Sequence, residues 1–136
     1  MLQNVFQNYG QYVPLFLRVF VGGLFIYHGI PKLFDQRIKG YAKQLTEKGI
    51  PIPIIFAVFI IIVEFFGGIF LVIGFITRWV AIAGLIKMLF KIITAKQIQI
   101  TKPTYELYVL LIIMLITILI LGAGPISVDL IYKLKI

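Results

Sequence analysis

An all-α, polytopic membrane fold is predicted by three features of this sequence. Its apolar runs are long, its charged residues are thinned to 13% of the chain, and a carboxylate, Glu64, sits inside the apolar run from Ile50 to Ile76. Hydrophobic residues make up 61% of the 136 positions and the mean hydropathy is +1.06. Soluble domains hold about 45–50% apolar and about 25% charged residues, and a membrane-spanning helix takes roughly 20 residues. The chain therefore has room for one membrane domain over residues 1–136. We expect a four-transmembrane-helix bundle, with no space for a soluble catalytic domain.

The first span is expected over about 13–34. Pro14 suits a first helical turn and Pro31 favours a stop or kink. A cleavable signal peptide is not expected, because residues 1–12 carry no Lys or Arg and Arg18 interrupts the apolar run. Next, Ile38, Tyr41, Ala42 and Leu45 recur at helical spacing while Lys39, Lys43, Glu47 and Lys48 lie mostly off that stripe. This predicts a short amphipathic interfacial helix between spans 1 and 2, ended by Gly49 and followed by Pro51 and Pro53.

The second span is expected over about 52–76, with Gly67 and Gly68 allowing a neighbouring backbone to approach beside Glu64. Thr77, Arg78 and Trp79 form an interfacial turn into a third span over about 79–93, where Ala83, Gly84, Lys87 and Lys91 share a face. The fourth, about 105–121, is the cleanest apolar run and ends at the Gly122–Pro125 breaker. Loops one and three carry Lys32, Arg37, Lys39, Lys43, Lys48, Lys91, Lys96 and Lys102, against Arg78, Lys133 and Lys135 on the other side. The positive-inside bias thus places both termini outside a cell membrane.

The charge balance of +8 does not point to nucleic acid, since the cations flank or enter apolar runs and suit membrane lipids. There is no cysteine and one histidine, which excludes thiol relays, Cys-ligated clusters and paired axial haem ligation from this chain alone. No Gly-rich dinucleotide motif and no paired metal ligands are present, so no metal site and no covalently bound cofactor are expected.

Several stretches resemble the DoxX family of small four-helix membrane proteins, related to the DoxD subunit of thiosulfate:quinone oxidoreductases. LRVFVGGLFIYHGIPKLF supplies Arg18, Gly22, His28, Gly29 and Lys32, and KGIPIPI is similar to the Gly-x-Pro entry to helix two. EFFGGIFLVIGFITRWVA aligns Glu64, Gly67, Gly68, Gly74, Thr77 and Arg78. YELYVLL and GAGPISVDL supply Glu106, Gly122, Gly124, Ser127 and Asp129. Lys87 and Lys91 depart from the usually apolar third helix.

The resemblance implies an integral membrane subunit of a quinone-linked complex, sulfur-oxidising or respiratory, with other redox subunits or a homo-oligomer as partners. Quinone is the implied cofactor. The chain itself has nothing to carry electrons, so standalone catalysis is not expected.

An ionisable group at Glu64's depth costs roughly 2.5–3.5 kcal/mol unless it finds a partner or a watery cavity. Glu64 and His28 are the candidate proton-relay residues; Arg18, Tyr27, His28, Glu64 and Arg78 are the candidate ligand-binding set. Four of these five have a structural alternative. Glu64 pairs with Arg18 or Lys87, His28 satisfies a backbone carbonyl, Arg18 compensates Glu64, and Arg78 anchors the interface beside Trp79. The competing function is a non-enzymatic assembly or interaction protein that binds lipid or a small solute.

Overall fold

The computed structural model describes residues 1–33, 35–95 and 102–131, with α-helices, a 3-10 turn and no strand among them. The helices are α1 (Leu2–Gly10), α2 (Val13–Gly29), α3 (Asp35–Glu47), α4 (Pro53–Ile73), α5 (Thr77–Ala95), α6 (Lys102–Leu121) and α7 (Val128–Ile131). Phe34, Lys96, Lys133 and Lys135, used above for a span end and for charge asymmetry, lie outside the described residues. So do the side chains of Lys32, Arg37 and Lys102.

The expected elements stand close to their predicted places. The first span stops earlier than expected: α2 ends at Gly29 and a 3-10 turn, Ile30–Leu33, follows where Pro31 removes an amide donor. The second apolar run is helical over Pro53–Ile73, with Pro53 in its first turn. Its C-terminus closes on Gly74 at φ +73, with Gly74 N–H donating to Leu71 and Phe75 N–H to Phe70. That pairing is a Schellman motif, and it requires the left-handed residue that glycine supplies most easily. Among the described residues α4 is the one helix that is by itself long and apolar enough to cross a membrane; α1 and α2 meet the same measure together, across a 47° bend.

Four long helices pack in a ring, α2 on α4 and α6, and α5 on α4 and α6. Their shared core includes Val21, Phe25, Leu71, Val80, Ala81, Met88, Leu115 and Ile118. Outside, Phe16, Phe20, Ile54, Ile62, Ile86, Ile113 and Ile120 are exposed, while Arg18, Glu64 and Lys87 are buried. This inversion of the soluble pattern suits hydrocarbon as the surrounding solvent.

As expected, α3 is amphipathic. Ala42 and Leu45 are buried against Ala57 at the start of α4, with Tyr41 packed beside them, while Lys39, Lys43 and Glu47 are exposed. Gly49, at φ +74, ends it. Burial raises the Tyr41 phenol above its ordinary pKa, with nearby Lys91 pulling the other way and Glu64 and Tyr108 adding to the rise.

Candidate functional site

The register of α2 on α4 sets the geometry of the interior. The two run antiparallel, and a Cβ on Gly22 would meet the Gly68 carbonyl at 2.6 Å while one on Gly68 would meet the Gly22 carbonyl at 2.7 Å. One step along, Gly29 lies against the α4 backbone at Glu64 and Phe65, where a Cβ would come within 3.0 Å of the Phe65 nitrogen. The backbones therefore touch through the small residues predicted to admit a neighbour. The two glycine faces fill one another, because the absent side chains are replaced by main chain.

Glu64 is fully buried at this level, on the side of α4 that faces α5. Its Oε1 lies 2.9 Å from Lys87 Nζ and accepts a hydrogen bond of 2.8 Å from Lys91 Nζ. Lys87 and Lys91 are one helical turn apart on α5, so their ammonium groups converge on one oxygen. Lys87 Nζ also stands 4.0 Å from the centroid of the Phe25 ring, a cation–π contact from α2. Lys91 is the more open of the two, with 15% of its side chain exposed, and lies 5.7 Å from the Tyr108 ring centroid. The cluster thus ties α2, α4, α5 and α6 together through one carboxylate.

Arg18 is not part of it, which corrects the expected Arg18–Glu64 pair. Arg18 packs against Gly74, about 15 Å along α4 from Glu64 at 1.5 Å per residue, farther than the side chain reaches. Its guanidinium donates through Nη1 to the Ala123 carbonyl and feels the charge of Asp129.

A second polar cluster stands there, made by the segment after α6. Asp129 accepts from the amide of Ile76 at 2.6 Å and of Thr77 at 2.9 Å, and its own amide donates to the Gly74 carbonyl at 2.9 Å. The carboxylate therefore caps the N-terminus of α5, where unpaired amides favour negative charge. It also holds Ile76 at φ +41, a strained value for a β-branched residue. Ser127 Oγ donates to the Gly124 carbonyl and accepts from the Leu130 amide, closing the short α7. Arg18 Nε and the Thr77 hydroxyl are buried beside this cap without hydrogen-bond partners among the described residues.

The remaining candidates lie apart. His28 and Tyr27 are on the exposed side of α2, edge to face with ring centroids 5.6 Å apart. His28 Nδ1 is 2.8 Å from the Leu24 carbonyl of its own helix. A carbonyl only accepts, so Nδ1 is the donor in that bond, and in the neutral ring this tautomer has Nε2 as the acceptor. His28 therefore does not stand with Glu64 in the bundle interior; its neighbour Gly29 is the residue turned inward. Arg78 is exposed, and its guanidinium lies over Gly122, where a Cβ would be 3.5 Å from Nε.

Sequence reasoning named Lys87 as a partner of Glu64 but did not name Lys91, although the shared face of the two lysines signalled it. Nothing local signalled Asp129 as a helix cap, because it acts across 52 residues.

Comparison with curated proteins gives no match, and comparison with solved structures gives none either. The DoxX family model matches residues 13–97, from the start of α2 to just beyond α5. That stretch includes Arg18, the Gly22–Gly68 contact, Glu64 and the Thr77–Arg78 turn, so the match rests on the part of the chain that builds the bundle interior. On this match, covering more than half of its length, the chain belongs to the DoxX family of membrane proteins.

Proposed function

We propose that this protein is a non-catalytic membrane module, crossing the cell membrane four times with both termini outside, that assembles with other membrane proteins or with itself. The observation that carries the reading is Glu64, fully buried and bound by Lys87 and Lys91, beside glycine faces that touch backbone to backbone. A carboxylate bound by two ammonium groups in low dielectric is a strong positional constraint on the helices that carry them. What the protein offers to others is then its wide apolar exterior. Purification in mild detergent from its native membrane tests this. We expect a colourless assembly without stoichiometric flavin, haem or iron–sulfur; redox-cofactor subunits at fixed stoichiometry would overturn it.

A second reading, the quinone-linked subunit of a respiratory or sulfur-oxidising complex, is favoured by the exposed Tyr27–His28 edge. There the His28 Nε2 acceptor is open to a quinol hydroxyl arriving through lipid. A photoreactive quinone analogue should then label α2 at these two residues. Loss of labelling in His28→Phe, with retention in Arg18→Gln, is the pattern required.

A further inference from the structure

Ahead of α2 stands a helix that nothing among the described residues covers. All of α1 is exposed. Its apolar residues Leu2, Val5, Phe6 and Tyr9 recur at three- and four-residue steps, with Leu2, Phe6 and Tyr9 each about 70% exposed. The opposite face is Gln3, Asn4, Gln7 and Asn8, four amides or their equivalents without a single charged side chain. An isolated helix this short is marginal in water, so its apolar face needs a surface to rest on.

The occupant follows from the continuation of the stripe. Past the 47° bend, the steps from Leu2, Phe6 and Tyr9 run on through Val13, Phe16 and Phe20, the exposed outward face of α2. In a membrane protein that face meets lipid. With α2 along the membrane normal, α1 would rise through about 9 Å, comparable with the headgroup layer between hydrocarbon and water. We propose that α1 is a charge-neutral anchor that lies in the headgroup–acyl boundary with Leu2, Phe6 and Tyr9 toward the chains, binding lipid irrespective of headgroup charge. It goes beyond the assembly reading and holds whichever partner the bundle has. It also contrasts with α3, whose exposed Lys39 and Lys43 suit anionic headgroups.

Trp79 is the single tryptophan, so Trp79→Phe gives a silent background in the full chain. Phe6→Trp and Asn4→Trp are then compared in phosphatidylcholine vesicles carrying brominated acyl chains. Quenching at position 6 should exceed that at position 4 on the order of threefold, with acrylamide showing the reverse order. The ratio should stay unchanged when phosphatidylglycerol is added or salt is raised. Equal quenching at the two positions would overturn the proposal. So would shielding of position 6 that disappears as protein is diluted in lipid, since that marks a second copy as the occupant.

Discussion

Asp129 holds the amide of Thr77 at 2.9 Å across a sequence separation of 52 residues, so the segment after α6 caps the helix that begins the second half of the bundle. The same carboxylate takes the Ile76 amide, and the Asp129 amide returns to Gly74. Three backbone groups of the α4–α5 turn, at Gly74, Ile76 and Thr77, are thereby held by one residue.

Removing that cap should be costly. Asp129→Ala is expected to destabilise the protein by about 1–2 kcal/mol, and Asp129→Asn by less, because the amide oxygen still accepts from helix N–H groups. Thermal unfolding in detergent, followed by Trp79 fluorescence at the adjacent turn, measures both.

Thr77→Val should behave differently. The Thr77 hydroxyl is buried without a partner among the described residues, while its backbone amide makes the bond to Asp129. Replacing an unsatisfied hydroxyl with a methyl is expected to be neutral within roughly 0.5 kcal/mol or stabilising. The same unfolding assay distinguishes the two variants.

Glu64→Gln should destabilise by about 3 kcal/mol or more, since it leaves Lys87 and Lys91 without their shared carboxylate. In double-mutant cycles Glu64 should couple with Lys87 by about 1–3 kcal/mol and add independently with Arg18→Gln. Coupling to Arg18 as strong as to Lys87 would contradict the register of α2 on α4.

Gly68→Ala is expected to cost about 1–3 kcal/mol, because its Cβ would fall 2.7 Å from the Gly22 oxygen and 2.9 Å from the Ile26 nitrogen. Gly23→Ala, with nothing within 4 Å, should instead gain up to about 1 kcal/mol from helix propensity. The pair separates close packing from helix preference on neighbouring turns.

Orientation is open to single-cysteine labelling, since the chain has no native cysteine. In sealed cells Gln7→Cys should react with an impermeant maleimide and Lys43→Cys should be protected. Both positions are exposed on the structure, so protection reports the membrane rather than burial.

The helices were legible in sequence because their signals are local. The stripe Ile38–Leu45 predicted α3, Pro31 and Gly49 marked ends, and the Glu64 run marked α4. The need of Glu64 for a cation was equally legible, but the choice among Arg18, Lys87 and Lys91 depends on which residue of one helix lies level with which residue of another. The contacts of Gly22 with Gly68 and of Gly29 with Phe65 set the register of α2 on α4, and they place Arg18 at Gly74 instead. The amphipathic α1 went unread because its polar face has no charge to contrast with its apolar one.

The ion cluster also carries a temporal order. Glu64 is synthesised before both of its cations, and Lys87 follows 23 residues later, a delay of about 1–5 s at ordinary translation speeds. During that interval α4 holds a carboxylate whose lysine partners do not yet exist. Release of α4 alone into lipid would strand that charge, a cost that insertion of α4 and α5 as a pair would avoid. The Schellman turn at Gly74 keeps the two helices of such a pair close in the chain.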